Sequence, residues 1–462
     1  MNIEAVKNEI ISQAGSDPIL TDSDLLEAYT HDETSDLTGT PDLVVIARTV
    51  EDVSTVLQAC NRHRVPVIPR GAGTGVTGGA IAVSGGVVLS LEKLNRIIEI
   101  DTGNMIAVVE PGVITGDLQR AALEHGLMYP PDPASLDSCS LGGNIAECAG
   151  GPRAVKYGTT KDYVTGLEFV LADGSVITHG GKFIKNATGY NLTGMLLGSE
   201  GTLAVITKMY LKLVPAPTHT IDLLVPFASL EEAVDGVHAM LIHRVMPATL
   251  EFMEEDALTL VAEYLGDAMP HPEAGAHLLV QLDGNSGDAI DAMLEQVQTV
   301  LKVNPETIMV AESPQQKERL WTARRSIREA IHAKSPVFLA EDSVVPRSQI
   351  PSLLREVKQS LNSLGLRSVI FGHAGDGNVH IDVLREDMEY DKWQELQPRL
   401  KEIIYGAAYR HGGTITGEHG TGFTRKQYLQ KYASPGEIEL LKRIKRAFDP
   451  NGIINPGKVV DL

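Results

Sequence analysis

The chain has 462 residues and carries 40 Lys and Arg against 60 Asp and Glu, so its formal net charge is −20. Phosphate repels such a charge, which argues against nucleic acid or an anionic membrane as the principal partner. The 3 cysteines show no CxxC spacing, which argues against a disulfide framework, a zinc ribbon and a bound iron–sulfur cluster. Glycine, with 44 residues, is in excess and is concentrated in a few segments.

The first 37 residues predict an N-terminal helical segment that ends in a polar stretch. This segment has neither the basic region nor the apolar region of a signal peptide, and no apolar run in the chain is long enough to span a bilayer. We therefore expect a cytoplasmic protein without a transmembrane segment, which reaches a membrane only through a partner.

From residue 41 the hydrophobic pattern alternates between strands and helices. The predicted order is strand 43–48, helix 51–63, strands 65–71, 85–91 and 105–112, helix 114–126, a strand pair that turns at Asp173 and Gly174, and strand region 198–217. Beyond residue 218 long helices alternate with strands. That alternation predicts an α+β domain with an antiparallel sheet flanked by helices.

A glycine-rich loop, PRGAGTGVTGG (69–79), directly follows a predicted strand. Glycine permits positive φ and lets backbone N–H groups approach a pyrophosphate closely, and Arg70 could add positive charge at the rim. A single glycine motif is a weak signal, and a flexible turn is the alternative. The loop leads into another strand and not into a helix, which argues against a Rossmann dinucleotide site.

Two further glycine-rich segments follow: SLGGNIAECAGG (140–151), which we interpret as a second loop, and TGYNLTGMLLGSEGTLAVI (188–206). Three such segments in one region suggest that the backbone clasps a large, flat ligand from several sides. Flavin adenine dinucleotide (FAD) fits this pattern better than a mononucleotide does.

Histidines frame a tight turn in HAGDGNVH, where His373 and His380 are seven residues apart. Such a turn can bring both imidazoles to one point, and GEHG places Glu418 next to His419. Two imidazoles and one carboxylate form a familiar ligand set for a divalent Zn, Mn or Fe ion. For any single one of these histidines, a hydrogen-bonded structural role is the alternative.

These segments occur in order between residues 40 and 462, together with YPPDPAS (129–135), GEHGTGF and FDPNGIINPGK. In this order they closely resemble the FAD-linked oxidase type 4 family. This family is the branch of the vanillyl-alcohol-oxidase/PCMH-like flavoproteins that includes D-lactate dehydrogenases, D-2-hydroxyglutarate dehydrogenases and the glycolate oxidase flavin subunit. The resemblance implies an α+β fold with four parts: an N-terminal helical segment (1–37), a two-lobed PCMH-type FAD-binding domain (38–217), a substrate (cap) domain with the antiparallel sheet and the metal site (218–420), and a C-terminal segment that returns to the FAD (421–462).

The resemblance also implies which residues contact FAD. We expect these contacts at Arg70, Gly71, Ala72, Gly73, Thr74, Gly75, Pro131, Asp132, Gly142, Gly143, Asn144, Ala146, Glu200, Gly201, Ile206 and Asn455. Relatives that attach FAD covalently through the first loop carry His at the position of Thr74. We therefore expect non-covalent, dissociable FAD.

A metal-assisted oxidation of a small 2-hydroxy acid to the 2-oxo acid is the reaction that the resemblance implies, with hydride passing to flavin N5. A divalent ion at the histidine pair and Glu418 would lower the pKa of the substrate hydroxyl, and His419 is the implied general base. The implied partner of the substrate carboxylate is Arg324. The segment 321–334 predicts one helix on which Arg324 and Arg328 share a face.

Two departures from hydroxyglutarate-specific relatives favour a small monocarboxylate substrate. Those relatives carry Asn where this chain has Asp382, which follows His380 by two residues and therefore points to the same side of a strand. They also carry a Lys in the region that corresponds to 338–342. We expect D-lactate, with glycolate and D-2-hydroxyglutarate as the alternatives.

The sequence contains no motif for a second redox cofactor, so the electrons must pass to an external carrier. We expect an electron-transferring flavoprotein, an iron–sulfur partner subunit or a quinone-linked system. Two other functions are open. One is a non-redox flavin transferase like alkyldihydroxyacetonephosphate synthase, which would need a lipid tunnel and not the His/His/Glu set. The other is a non-catalytic flavin-binding subunit, against which the presence of His373, His380, Glu418 and His419 together argues.

Overall fold

A computed structural model describes residues 2–20, 23–267 and 269–462 of the protein. The chain divides into two compact units. The first contains the described residues up to Ala149, with Thr159–Ala216 and His419–Leu462, and the second contains Gly150–Gly158 and Pro217–Glu418. The segment 150–158, which the predicted limits assign to the FAD-binding domain, thus packs with the second unit.

The described residues form short strands in the first unit and longer strands in the second. In chain order they are β1 (Ile19–Leu20), β2 (Leu43–Ile46), β3 (Val67–Arg70), β4 (Val87–Ser90), β5 (Ile97–Asp101), β6 (Ile106–Val109), β7 (Leu127–Met128), β8 (Val164–Val170), β9 (Val176–Gly180), β10 (Val205–Lys212), β11 (Val214–Pro215), β12 (His219–Phe227), β13 (Thr249–Glu254), β14 (Ala276–Gly284), β15 (Met309–Ala311), β16 (Phe338–Val344), β17 (Ser368–His373) and β18 (Asn378–Leu384).

The α-helices are distributed over both units. They are α1 (Ile3–Ala14), α2 (Ser23–Leu26), α3 (Val50–His63), α4 (Thr115–Leu123), α5 (Leu141–Glu147), α6 (Ala154–Tyr157), α7 (Leu192–Leu196), α8 (Leu230–Ile242), α9 (Glu255–Leu265), α10 (Gly287–Val300), α11 (Pro314–Arg325), α12 (Ile327–Lys334), α13 (Ile350–Ser363), α14 (Tyr390–Arg410), α15 (Lys426–Tyr432) and α16 (Pro435–Phe448). None of these described helices combines the length and the apolar character that crossing a membrane requires.

A four-stranded sheet in the order β1-β2-β4-β3 forms one lobe of the first unit. Its strands β2, β4 and β3 are parallel, and their Val- and Ile-rich sequences suit strands that are buried on both faces. Helices α1 and α3 pack against it through a core that includes Val6, Val56 and Val87. Helix α3 begins at a capping box, in which the backbone N–H of Asp52 donates to Thr49 Oγ1 at 3.1 Å and the backbone N–H of Thr49 donates to Asp52 Oδ2 at 3.0 Å.

Five antiparallel strands in the order β5-β6-β10-β8-β9 form the other lobe of this unit. The predicted turn between β8 and β9 is present at Gly174, where φ is +84° and an added Cβ would lie 2.3 Å from Gln58 Cγ, so the turn requires glycine. The prediction of an α+β fold with a two-lobed first domain is confirmed.

The second unit is built on a seven-stranded sheet in the order β15-β12-β14-β13-β17-β18-β16. Every neighbouring pair in it is antiparallel, as predicted. Helices α9, α11 and α12 cover part of one face through a hydrophobic core that includes Leu260, Leu320 and Ile331 from the helices and Leu279 and Phe371 from the sheet.

Two sequence-based expectations about local structure were wrong. The segment 140–151 is not a loop along its whole length, because Ser140 Oγ accepts from the backbone N–H of Gly143 at 3.3 Å and caps the short helix α5. The single helix expected at 321–334 is divided at Ser326, whose ψ is 2°, into α11 and α12. Serine favours helix ends because its hydroxyl competes for backbone hydrogen bonds.

We expect the thiol of Cys60 to be inert in the folded protein. It is fully buried on α3, and burial raises its pKa to about 12, whereas the thiolate is the reactive form. Alkylation at mildly alkaline pH, followed by peptide mass spectrometry, should label the partly exposed Cys148 first and Cys60 only after unfolding in guanidinium. Rapid labelling of Cys60 in the native protein would contradict the packing of α3.

Candidate functional site

The register of the seven-stranded sheet gathers polar side chains on one of its faces. Alternate residues of a strand point to the same face, and residues in register point the same way. Glu251 on β13 is in register with His373 on β17, and His380 on β18 is in register with Asp342 on β16. His380 is also in register with Phe371, two residues before His373, so the two histidines are diagonal neighbours on this face.

A tight turn at 374–377 connects the two strands that carry these histidines. Gly377 has φ +97°, and a Cβ there would lie 2.1 Å from the carbonyl oxygen of Val345, so the turn admits only glycine. The backbone N–H of Asn378 donates to Asp376 Oδ1 at 3.0 Å and closes the turn. The ring centroids of His373 and His380 are 5.3 Å apart as a result.

Three potential ligand atoms converge beside this hairpin. One atom each from His373, His380 and Glu418 lies within 4.8 Å of the other two. Glu418 Oε1 is 3.3 Å from His373 Nε2 and 3.6 Å from His380 Nε2. Ligands about 2 Å from one tetrahedral ion are separated by about 3.3 Å, so these distances suit a shared ion.

Glu251 holds His373 from the opposite side. Its Oε1 lies 2.6 Å from His373 Nδ1, and its Oε2 accepts from Nε and Nη2 of Arg324 at 3.0 and 2.6 Å. A carboxylate that accepts from Nδ1–H fixes the tautomer in which Nε2 is left for a metal. Burial by itself lowers the pKa of His373, but the negative charges of Glu251 and Glu418 outweigh it and raise that pKa well above its usual range. The same negative field favours a cation at Nε2.

The residues present therefore fit a divalent ion. They supply two imidazole nitrogens and one carboxylate oxygen, they include the outer carboxylate that typically orients a histidine ligand, and they leave coordination positions for a substrate. Within the described part of the chain, this is the one cluster of three His, Cys, Asp or Glu side chains with such spacing.

Arg324, the predicted partner of the substrate carboxylate, and Arg328 both lie beside Phe371, whose ring contacts that of His380. They are on separate helices, yet the guanidinium carbons of Arg324 and Arg328 are 4.9 and 6.0 Å from the centroid of the Phe371 ring. Arg324 is largely buried, and its Nε and Nη2 donate to Glu251 Oε2. Arg328 is more exposed, at 38% of its side chain, and its Nε lies 3.5 Å from Oδ2 of the fully buried Asp382.

His419, the predicted general base, follows Glu418 directly and is the first residue of the last stretch of the first unit. Its carbonyl oxygen accepts from Thr77 Oγ1 at 3.4 Å. Two residues further on, the backbone N–H groups of Thr421 and Gly422 donate to the carboxylate of Glu200 at 2.7 and 2.5 Å. The chain around His419 is thereby tied to the first unit, and the role of its imidazole stays a prediction.

The first glycine loop offers a row of backbone donors. In the described structure, none of the backbone N–H groups from Gly71 to Thr77 donates to a protein acceptor, although this loop is only partly exposed. Such a row suits an anionic ligand, because successive backbone N–H groups can form a concave anion-binding site. Arg70 is not at the rim: it is buried, and Nη1 and Nη2 donate to the carbonyl oxygens of Ala80 at 3.3 Å and Ala28 at 3.1 Å.

The other predicted FAD segments meet this loop inside the first unit. A Cβ on Gly71 would lie 2.3 Å from Ser140 Oγ, the cap of helix α5, which contains the predicted residues Gly142, Gly143, Asn144 and Ala146. The carbonyl oxygen of Ala146 accepts from the backbone N–H of Glu200 at 2.8 Å. The loop, α5 and the segment with Glu200 and Gly201 thus pack together.

Asn455 joins two of these segments from the C-terminal end of the chain. Its Nδ2 donates to the carbonyl oxygens of Gly79 at 3.0 Å and Glu200 at 2.9 Å. Its buried Oδ1 has no hydrogen-bond partner among the described residues. A buried acceptor without a partner is costly, so this atom fits a donor on a bound ligand.

Three predicted FAD positions lie elsewhere in the same unit. The carbonyl oxygen of Pro131, next to Asp132, accepts from Gln119 Nε2 of α4 at 2.7 Å. Ile206 is buried on β10. The described contacts fit FAD most directly at 71–77 and at Asn455.

Sequence reasoning missed two acidic residues of the second unit, Glu251 and Asp342. Each lies on a strand whose residues are largely buried, Glu251 on β13 and Asp342 on β16. A carboxylate within such a strand is the signal that could have identified them, because a buried charge needs a partner.

We expect Glu251→Gln to weaken metal binding by about 10- to 100-fold, the usual effect of removing an outer-sphere partner of a histidine ligand. The measurement is competition for Zn²⁺ with a chromophoric chelator. Glu254→Gln is the matched control, because Glu254 is a buried carboxylate on the opposite face of the same strand and pairs with Lys358 at 2.6 Å. Equal affinities for both variants and the wild type would contradict the assigned role.

Comparison with known proteins identifies the family of this chain. Residues 41–180 match the FAD binding domain family, and residues 216–459 match the C-terminal domain of the FAD linked oxidases. The chain is 37% identical over 448 residues to a D-lactate dehydrogenase of Anaerostipes hadrus, covering 96% of this chain and 94% of the relative. It is also 37% identical to the glycolate oxidase subunit GlcD of Bacillus subtilis, covering 98% and 96%, and 32% identical to a D-2-hydroxyglutarate dehydrogenase of Stutzerimonas stutzeri, covering 99% of both.

Solved structures with the same fold have a lower sequence identity to this chain. p-Cresol methylhydroxylase with bound substrate matches with a TM-score of 0.81 at 21% identity, covering 99% of this chain and 97% of the other. Alkyldihydroxyacetonephosphate synthase matches with a TM-score of 0.74 at 18% identity, covering 97% and 84%. These likenesses show a PCMH-type fold and nothing about the reaction. The family matches and the relatives together show that the chain belongs to the FAD-linked oxidase family and is an FAD-dependent oxidoreductase.

Proposed function

We propose that the protein is a metal-assisted dehydrogenase that oxidises a small D-2-hydroxy acid, D-lactate foremost, to the 2-oxo acid. The observation that carries this proposal is the convergence of His373 Nε2, His380 Nε2 and Glu418 Oε1 in a chain of this family. A 2-hydroxy acid presents a hydroxyl and a carboxylate oxygen on adjacent carbons, a pair that can bind one ion at two coordination positions.

The relatives support this class of substrate. Two relatives at 37% and 36% identity are D-lactate dehydrogenases, of Anaerostipes hadrus and Archaeoglobus fulgidus. The other named activities concern glycolate and D-2-hydroxyglutarate, which are also 2-hydroxy acids. Glycolate and D-2-hydroxyglutarate are therefore the alternative substrates.

Bound FAD would accept the hydride from Cα at N5, and a bound divalent ion would lower the pKa of the substrate hydroxyl. The residues of the chain would bind the ion and the substrate and accept the proton of the substrate hydroxyl. We assign the hydroxyl proton to the imidazole of His419, because its Cα lies only about 3.8 Å along the chain from that of Glu418. Glu251 keeps His373 in the tautomer that leaves Nε2 for coordination.

We assign the substrate carboxylate to the two arginines beside Phe371. Nη1 of Arg324 has no acceptor among the described residues, and Arg328 is the more exposed guanidinium. Asp382 already engages Arg328, so a second substrate carboxylate would have to compete with Asp382 for that guanidinium. This balance favours a monocarboxylate over D-2-hydroxyglutarate.

The electrons leave, in this proposal, to an external carrier such as an electron-transferring flavoprotein or an iron–sulfur partner subunit. The support is the cysteine content: the chain has only 3 cysteines, too few for a four-cysteine cluster of its own. We also propose that FAD is bound non-covalently, because Thr74 stands where covalently flavinylated relatives have His.

The substrate is tested by anaerobic mixing of metal-replete holoenzyme with D-lactate, L-lactate, glycolate and D-2-hydroxyglutarate. We expect D-lactate to bleach the visible absorption band of the flavin fastest and L-lactate to be inert, which serves as the stereochemical control. If none of the four acids reduces the flavin, the dehydrogenase assignment is wrong.

We expect His419→Ala to bind FAD and Zn²⁺ normally and to reduce its flavin at least about 100-fold more slowly, the usual contribution of a general base. His63→Ala is the control, because His63 lies on α3 of the same unit and pairs with Glu9 of α1 at 3.1 Å. Flavin reduction at the wild-type rate in His419→Ala would place the base elsewhere.

A further inference from the structure

Asp342 on β16 is a fully buried carboxylate. Its oxygens accept hydrogen bonds from the chain segment just before His419. Its Oδ2 accepts from the backbone N–H of Gly417 at 2.7 Å and from the backbone N–H of Glu418 at 2.9 Å. The hydroxyl of Thr416 lies 3.2 and 3.3 Å from the two carboxylate oxygens. Three consecutive residues, 416–418, are therefore bound by one side chain.

The segment 416–418 is also held close to the strand next to β16. A Cβ on Gly417 would lie 2.3 Å from Nδ2 of Asn378, the first residue of β18. That Nδ2 donates to the carbonyl oxygen of Ser343 at 3.1 Å and is thus fixed itself. The backbone of the segment can approach this closely only because residue 417 has no side chain.

We propose that Asp342 is a positioning residue for the metal ligand Glu418. It acts through the two backbone N–H groups, which orient the Cα–Cβ bond of Glu418 so that the carboxylate reaches Nε2 of His373 and His380. Hydrogen bonds from N–H groups to an ionised carboxylate are shorter and stronger than neutral ones, which suits this task. Asp342 is not one of the three clustered ligands, so its effect on the ion is indirect.

The register of the sheet explains why this residue acts on the metal site. Asp342 and His380 are directly opposite each other on β16 and β18. The β16–β18 pair therefore supplies the proposed ligand His380 from β18. From β16 it supplies Asp342, which anchors the proposed ligand Glu418 from a distant part of the sequence. This inference rests on the proposed metal site and adds to it a residue that fixes the third ligand.

The test is the affinity of FAD-loaded protein for Zn²⁺, measured by competition with a chromophoric chelator for the wild type, Asp342→Asn and Asp342→Ala. We expect affinity losses of about 10-fold for Asn, which keeps an acceptor oxygen without the charge, and about 100-fold for Ala. Thermal unfolding of the metal-free variants reports their folding. Thr416→Val, which removes one hydroxyl donor, is the milder variant if Asp342→Ala does not fold, with an expected loss of a few fold.

The matched control is Glu341→Gln. Glu341 is the neighbouring buried carboxylate on β16, faces the other side of the sheet and contacts the hydroxyl of Tyr405 and Lys401 Nζ. Its substitution should leave Zn²⁺ affinity unchanged.

Wild-type affinity in Asp342→Asn and Asp342→Ala, or an equal loss in Glu341→Gln, would overturn the role of Asp342 and leave the proposed function standing. A wild-type protein that binds no divalent ion would overturn both proposals.

Discussion

Glu251 and His373 face each other because β13 and β17 pair in a single antiparallel register, and the proposed metal site depends on this pairing. A shift by one residue would move either side chain to the other face of the sheet. With the register set, the carboxylate meets Nδ1 at 2.6 Å and leaves Nε2 beside Glu418. The hairpin from β17 to β18 then places His380 as a diagonal neighbour. The relative positions of His373 and His380 are thus a consequence of strand pairing.

Burial of charge is the second constraint, and each buried carboxylate around these elements has a defined partner. Glu251 has Arg324 and His373, Asp342 has backbone N–H groups, and Asp382 has Arg328. An ionised group is stable in a dry environment only with such partners. The guanidinium groups that we propose for the substrate carboxylate therefore also compensate the protein carboxylates Glu251 and Asp382.

The sequence predicted the element types and the antiparallel sheet well, because alternating and periodic hydrophobic patterns report local structure directly. It also predicted the histidine pair, since a Gly-Asp-Gly-Asn turn joins the two residues within one hairpin. It could not identify Glu251 or Asp342, which act only through strand pairing over long separations. Nor could it place the break at Ser326 or the buried position of Arg70, because tertiary contacts decide both.

In the proposed site, His373, His380 and Glu418 bind one divalent ion. Anomalous diffraction from crystals of Zn²⁺-loaded protein, recorded above the zinc absorption edge, would locate this ion. We expect one strong peak about 2.0–2.2 Å from His373 Nε2, His380 Nε2 and a carboxylate oxygen of Glu418. The absence of a peak at these three atoms in fully loaded crystals, or a peak bound through His373 Nδ1, would contradict the proposed site.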